Sequence, residues 1–223
     1  MIFRNSLLKN NVRYFSTASG SPVFELITYK PTNKTNFIKQ LKGLNSKLSS
    51  DNGNQSPLIN VWETDLGSKF NDEVICFLKF SNNEERLKTI QSFENTFKDQ
   101  KTAITLDEFQ WAKFSGISKD QLKENKVWEL RTYQTKPGKI DQWEKDFTKG
   151  FNERKTLSGP VGVWNGNLED SKAVVHLWPY KSFEHRMSVR NAALKMPIWL
   201  ETVKNTTASL TSMESKVILP INL

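Results

Sequence analysis

The segment Glu129-Leu130-Arg131-Thr132-Tyr133 occurs twice in this chain, the first time with one substitution and about a hundred residues earlier. The earlier copy is Glu25-Leu26-Ile27-Thr28-Tyr29. Further landmarks follow in the same order and at nearly the same separation: Trp62 with Trp164, Cys76 with His176, and Arg86 with Arg186. Loops accept the small changes of length that separate these pairs. The chain therefore contains a duplicated unit, and internal repetition decides the fold before any other feature does.

Each unit shows the same predicted order of strand, helix, strand, strand, helix and strand. In the first unit we predict strands at 23–29, 58–62, 73–80 and 106–114, and helices at 36–48 and 84–97. In the second unit we predict strands at 127–133, 161–164, 173–178 and 210–219. The Asn165-Gly166-Asn167 run predicts the turn between the middle two of these strands. One helix buries Ile140, Trp143, Phe147 and Phe151, and another, capped by Ser182, is expected to turn Phe183, Met187 and Leu194 inward.

This order is the ferredoxin-like βαββαβ pattern, which belongs to the α+β class. The two units span 22–114 and 127–220, and the polar segment 115–126 joins them. A four-stranded sheet with helices on one face leaves its other face bare. We therefore predict that the two sheets pack together as a dimeric α+β barrel within one chain.

Composition excludes several classes of protein. The net charge is +8, but the 32 basic residues are interspersed with 24 acidic ones, which argues against nucleic-acid binding. No run of about 18 apolar residues predicts a membrane-spanning helix. The single Cys76 excludes an intramolecular disulfide and argues against a zinc site. No phosphate-binding loop, nucleophile elbow or metal motif is present, so we predict no catalytic residues, metal or cofactor.

The first 24 residues contain Arg4, Lys9 and Arg13, several Ser and Thr, and no acid. This composition is typical of an organelle transit peptide, which we place at 1–20. The run Arg13-Tyr14-Phe15-Ser16 resembles a mitochondrial matrix-protease site. The alternative is a basic tail without structure.

Strand alternation predicts which side chains face the barrel. If Leu130, Val175 and Leu177 contact the helices, the polar and aromatic residues between them point into the barrel. The candidate pocket lining is then Glu129, Arg131, Tyr133, Trp164, His176 and Trp178. The first unit has Ile27 and Cys76 where the second has Arg131 and His176, so a site would belong to the second unit. The alternatives are a structural Glu129–Arg131 salt bridge and a histidine that only fills the interior.

Arg186 and Arg190 lie one helical turn apart in the second unit. They are candidates for binding an anion or a partner protein, and a surface salt bridge is the alternative.

The second unit resembles the NIPSNAP domain. The resemblance rests on Trp128 to Tyr133, Pro137-Gly138, Gly162-Val163-Trp164, Val175 to Tyr180, Arg186 with Arg190, and Pro197-Ile198-Trp199. It is dense over 127–220 and thin over 22–114. It implies a dimeric α+β barrel in mitochondria, in the matrix or associated with a membrane, and a family without a settled enzymatic reaction. Animal members are associated with mitochondrial quality control, through recruitment of autophagy receptors, and with vesicle traffic.

We therefore predict a non-enzymatic mitochondrial protein that binds other proteins, and autophagy receptors are one candidate partner. A homo-oligomer is an alternative that the sequence leaves open. The alternative is a barrel that holds a small aromatic or haem-like ligand, as in cofactor-independent monooxygenases and haem-handling proteins. The state of the barrel interior distinguishes the two, because a ligand site needs a cavity of roughly 300 Å³ or more.

Overall fold

The computed structural model describes residues 22–53, 55–67, 72–114, 116–168 and 171–223. The predicted transit peptide at 1–20 lies outside the described residues. In the first repeat the elements are β1 (Val23–Lys30), α1 (Lys34–Asp51), β2 (Leu58–Leu66), β3 (Val74–Phe80), α2 (Asn83–Thr96) and β4 (Gln100–Glu108). A short 3-10 helix (Gln110–Ala112) and α3 (Lys119–Glu124) connect the repeats. The second repeat contains β5 (Val127–Thr135), α4 (Ile140–Leu157), β6 (Gly162–Leu168), β7 (Ser171–Tyr180), α5 (Phe183–Ala193), α6 (Pro197–Ala208) and β8 (Leu210–Pro220).

The eight strands form one closed barrel in the order β1-β3-β2-β8-β5-β7-β6-β4. Each repeat contributes four adjacent strands, and the repeats join where β2 pairs with β8 and where β4 pairs with β6. Closure leaves no free sheet edge. The predicted tandem α+β barrel is therefore confirmed.

The duplication extends to the pairing register. Trp62 lies opposite Ile75 in the first repeat, and Trp164 lies opposite Val175 in the second. Ile27 lies opposite Cys76, as Arg131 lies opposite His176. The two copies therefore use equivalent positions for equivalent contacts.

The barrel interior is an apolar core built by both repeats. Trp62 and Trp128 meet with ring centroids 5.6 Å apart, and Phe77 packs edge-on against Trp164 at 5.2 Å. Two further cores lie outside the barrel, one under each set of helices. In the first, α1 buries Phe37, Leu41, Leu44 and Leu48, the predicted stripe. In the second, α4 buries Trp143 and Phe147.

Two predicted boundaries in the first half are wrong. The fourth strand runs from Gln100 to Glu108 instead of over 106–114, because Ile104 and Leu106 supply the residues that point into the barrel. The aromatic residues after it reach across to the second repeat, where the Trp111 indole donates to Glu144 at 2.7 Å. The joining segment contains the short helix α3. Reciprocal hydrogen bonds between Ser118 and Gln121 cap its N-terminus.

Two predictions in the second half also fail. Asn165 and Gly166 are paired within β6, so the connection to β7 comes later and lies outside the described residues. Helix α5 buries Val189 and Ala193, whereas Phe183, Met187 and Leu194 are exposed. The face of this helix that meets the second repeat carries Val189 and Ala193 together with Arg186, which reaches Glu129 on β5. Among the described residues, no helix has the length and hydrophobicity needed to cross a membrane.

Candidate functional site

Five of the six predicted pocket residues lie outside the barrel. Trp128, Leu130, Val175 and Leu177 point into it, which sends Glu129, Arg131, Tyr133, His176 and Trp178 towards the helices of the second repeat. The face assignment was therefore inverted, and only Trp164 lies in the barrel as predicted. The closed barrel offers no partners to a polar group, whereas the layer between sheet and helices has charged side chains and an open edge.

The barrel itself is filled. The cavity at its centre measures about 10 Å³, which is room for about one water molecule. Its lining is entirely apolar: Leu26, Trp62, Ile75, Phe77, Leu130, Trp164, Val175, Leu177 and Ile218. A small aromatic molecule does not fit there.

The polar residues outside the barrel converge on the fully buried carboxylate of Glu129. Oε1 accepts hydrogen bonds from Nε of Arg131 at 2.9 Å and from Nη1 of Arg190 at 2.8 Å. Oε2 accepts from Nε of Arg186 at 2.8 Å, and the Ser215 hydroxyl donates to Oε1 at 2.5 Å. Thus Arg186 and Arg190, predicted to contact an anion or a partner, meet a carboxylate of their own chain together with Arg131. We call Glu129, Arg131, Arg154, Arg186 and Arg190 the arginine cluster.

The arginines determine the charge state of Glu129. Burial alone would raise the pKa of this carboxyl group, but the charge of Arg131 and the hydrogen bonds from Ser215, Arg186 and Arg131 lower it to about 2. The carboxylate is therefore ionised throughout the physiological pH range.

Arg154 is the member of the cluster without a carboxylate. It is 2% exposed and lies over the ring of Trp178 at 4.6 Å, while its Nη1 donates to the Ser158 carbonyl at 2.6 Å. Burial, followed by the repulsion of Arg131, lowers the pKa of this guanidinium. The π face of Trp178, the Ser158 carbonyl, the nearby Tyr180 hydroxyl and the charge of Glu129 favour its charged form.

His176 is enclosed by aromatic rings. Tyr133, Trp143 and Phe147 contact it edge-on at centroid distances of 5.0 to 5.5 Å. Neither ring nitrogen has a hydrogen-bond partner among the described residues. Burial, with a further contribution from Arg131, places the pKa of His176 well below its usual 6.5, so the ring is neutral.

The first repeat contains a reduced version of the same cluster. Arg86 on α2 donates to Glu25 on β1 and to Thr105 on β4, as Arg186 donates to Glu129. The remaining positions are apolar. Ile27 and Ile90 replace Arg131 and Arg190, and Leu48 occupies the place of Arg154 at the end of the buried stripe of α1. One glutamate and one arginine therefore suffice to join the first strand to the second long helix.

A separate groove of about 1040 Å³ lies where the connecting segment passes between the repeats. Its lining includes four lysines, Lys119, Lys123, Lys126 and Lys181, and two glutamates. Of the two, Glu63 already pairs with Lys34 at 2.7 Å. The apolar lining consists of Leu58, Ile59, Ile117, Leu122, Val127, Phe183, Leu219, Pro220, Ile221 and Leu223.

Sequence reasoning missed Arg154, Ser215 and the groove. A signal for Arg154 was available, because an arginine continues the apolar stripe of α4 at the position where α1 has Leu48. Nothing in the sequence pairs Ser215 with Glu129, since that contact depends on how β8 registers against β5.

Comparisons with known proteins agree with this architecture. The NIPSNAP family model matches residues 128–223. The NipSnap homolog of Dictyostelium discoideum is 42% identical over 99% of this chain and 99% of its own length. NipSnap homolog 2 of Danio rerio is 27% identical over 76% of this chain, which corresponds to 57% of that protein.

Two solved structures share the fold over nearly the whole chain. A putative monooxygenase from Fusobacterium nucleatum has a TM-score of 0.62 at 9% identity and covers 91% of this chain and 94% of its own. An anthrone oxidase-like protein has a TM-score of 0.60 at 10% identity and covers 91% of this chain and 92% of its own. These likenesses show the barrel fold alone. Together with the close match to the Dictyostelium homolog along the whole chain, the family model's match to the second repeat leads to one conclusion: the chain belongs to the NIPSNAP family.

Proposed function

We propose that this NIPSNAP protein is a non-enzymatic binding protein that captures an acidic, partly apolar segment of a partner protein in the groove between its repeats. The observation that carries the proposal is the contrast between a filled barrel and a large open groove with lysines around an apolar floor. The barrel supplies a rigid support, and the groove supplies the recognition surface.

The filled barrel argues against the alternative function. A site for a small aromatic or haem-like ligand needs roughly 300 Å³ or more, whereas the barrel holds about 10 Å³. The monooxygenase and oxidase names belong to proteins at or below 10% identity and carry no chemistry to this chain.

The lining of the groove indicates the chemistry of its partner. Lys119, Lys123 and Lys126 are exposed along one side, and complementary charge steers association and excludes unlike partners. Ile117 and Leu122 on the same segment offer apolar contacts between the lysines. An extended segment that alternates acidic and apolar residues matches both features. The basic N-terminal residues of this chain would be repelled.

We also propose that the protein acts in mitochondria. The support is the acid-free, basic segment 1–24. The family resemblance suggests two roles for such binding: recruitment of an autophagy receptor and vesicle traffic.

Binding of a fluorescent model peptide tests the groove. The peptide alternates glutamate with leucine or phenylalanine, and fluorescence anisotropy is measured with the purified full chain. The test variant is Lys119→Glu, Lys123→Glu and Lys126→Glu combined. The control carries the same charge change at Lys145, Lys155 and Lys204, which are exposed on the helices of the second repeat.

The acidic peptide should bind the wild type and the control variant, with affinity falling as the salt concentration rises. The groove variant should lose most of this affinity, and a peptide with lysine in place of glutamate should not bind. Equal binding by the groove variant and the control, or no preference for the acidic peptide, would reject the groove as the recognition surface.

A further inference from the structure

The arginine cluster carries more positive charge than its own chain neutralises. Among the described residues, Arg131, Arg186 and Arg190 share the single carboxylate of Glu129, and Arg154 has none. Glu129 has no solvent exposure, and the side chains of Arg131 and Arg186 are 14% and 16% exposed. Arginine does not lose its proton in proteins, so a buried excess of guanidinium groups requires an acceptor.

The excess is not needed to hold the repeat together. The first repeat makes the same strand-to-helix connection with Glu25, Arg86 and Thr105 alone. The three additional arginines of the second repeat replace Ile27, Leu48 and Ile90, which are apolar. Burying a guanidinium in place of an apolar side chain costs desolvation free energy. The connection in the first repeat shows that the fold does not require these extra arginines.

The cluster contains hydrogen-bond donors without partners. The buried indole N–H groups of Trp143 and Trp178 have no partner among the described residues, and Arg131 lies over Trp178 at 5.3 Å. Each guanidinium has five N–H groups, of which Glu129 accepts one from each of three arginines. A site in which four guanidinium groups outnumber one carboxylate selects an anionic ligand with several acceptor oxygens.

The cluster is open to solvent at one edge. The Arg190 side chain is 42% exposed. Met213 lies opposite Tyr133 at the β5–β8 pairing and is 55% exposed, and Ser215 beside Arg131 is also exposed. A ligand can therefore approach along β8 without passing through the barrel.

We propose that this cluster is an oxyanion-binding site that takes a carboxylate or phosphate group. Arg131, Arg186 and Arg190 bind the anion, and Glu129 holds the three guanidinium groups in position. Arg154 contributes charge from beneath Trp178. The site is separate from the groove.

Titration of the full chain with simple anions tests this site. The probes are inorganic phosphate and benzoate, with sodium chloride at matched ionic strength as the reference. Binding is followed in protein labelled with ¹⁵N-tryptophan, through the indole signal of Trp178, which is assigned with the Trp178→Phe variant. Arg190→Met removes the most exposed guanidinium, so this substitution should disturb folding least. Arg131→Lys keeps the charge and removes the planar fork.

The expected result is a saturable shift of the Trp178 signal with phosphate, benzoate or both, beyond the effect of chloride. Arg190→Met should weaken this binding about tenfold or more, and Arg131→Lys should weaken it as well. A response to phosphate alone identifies a phosphate site, and a response to benzoate alone identifies a carboxylate site.

Two results would overturn the proposal: no saturable response to either anion, or equal affinity in the wild type, Arg190→Met and Arg131→Lys. The triple groove variant serves as the control. It should bind the anion like the wild type, so failure of the groove as a peptide site and failure of the anion site are distinguishable.

Discussion

The carboxylate of Glu129 accepts a hydrogen bond from Arg186 at 2.8 Å, and this contact joins the first strand of the second repeat to α5. Its counterpart joins Glu25 to Arg86 in the first repeat. The pair therefore belongs to the duplicated unit, whereas Arg131, Arg154 and Arg190 have apolar counterparts in the first repeat.

The carboxylate of Glu129 should contribute strongly to the stability of the fold. Glu129→Gln removes the charge that three guanidinium groups share and should cost on the order of 3 kcal/mol of unfolding free energy. Arg131→Met should cost much less, because Glu129 keeps Arg186, Arg190 and Ser215. Urea unfolding at neutral pH measures both. Equal losses would mean that Arg131 alone compensates the carboxylate.

The same residue predicts a dependence on acid. The folded-state pKa of Glu129 is about 2, below its ordinary 4.5, so ionised Glu129 stabilises the fold above pH 4.5. That stability is lost as the pH falls from 4.5 towards 2. The difference in unfolding free energy between wild type and Glu129→Gln should shrink over this range, and a constant difference would contradict the assignment.

The neutral His176 predicts a second acid effect at higher pH. The unfolded chain binds a proton near pH 6.5 and the folded chain does not, so stability should fall as the pH drops below 6.5. The loss is up to about 1.4 kcal/mol per pH unit. His176→Phe, which suits the surrounding rings, should reduce this slope in urea unfolding between pH 7.5 and 5.5. The control His185→Asn should retain it, and an unchanged slope in His176→Phe would reject the explanation.

Two helical glycines predict opposite responses to alanine. A Cβ at Gly150 on α4 would lie 2.3 Å from the Thr202 hydroxyl of α6, whereas a Cβ at Gly43 on α1 meets nothing within 4 Å. Gly43→Ala should stabilise the protein by roughly 0.5–1 kcal/mol. Gly150→Ala should destabilise it by about 1–3 kcal/mol because α4 and α6 must move apart. Thermal unfolding compares the two, and a stabilised Gly150→Ala protein would show that this contact is not tight.

Removal of the N-terminal segment is also a prediction. We expect residues 1 to about 15–20 to be cleaved on import into mitochondria, because the segment is basic and contains no acid. The N-terminal sequence of the mature protein measures this. A chain that begins at Met1 or Ile2 in a cytosolic fraction would contradict it.

The fold could be predicted because duplication and periodicity are local features of the sequence. The stripe from Phe37 to Leu48 and the matching order of Trp62 and Trp164 fix the elements and their pairing. The end of β4 was misplaced because Phe109 and Trp111 continue a strand-like alternation while they pack on the opposite repeat.

The direction of β5 could not be predicted from its alternation alone. Both faces of this strand are buried, so Leu130 on one side and Glu129 on the other give no net preference. Only the closure of the barrel decides which face of β5 points inward. Closure encloses one face completely and leaves the other beside helices, where one edge is open to solvent. The convergence of Arg186, Arg190 and Ser215 on Glu129 depends on contacts between residues 57 to 86 positions apart, which no local pattern records.

Hydrogen–deuterium exchange with the acidic peptide tests the central claim most directly, because it locates the bound segment on the full chain. We expect protection over 117–127 and at the end of β8 near 219–221, with no change in β5 after Val127 or in α5 after Glu184. Protection centred on Arg131 and Arg190, or no protection anywhere, would contradict the assignment of the groove as the surface through which this NIPSNAP protein binds its partner.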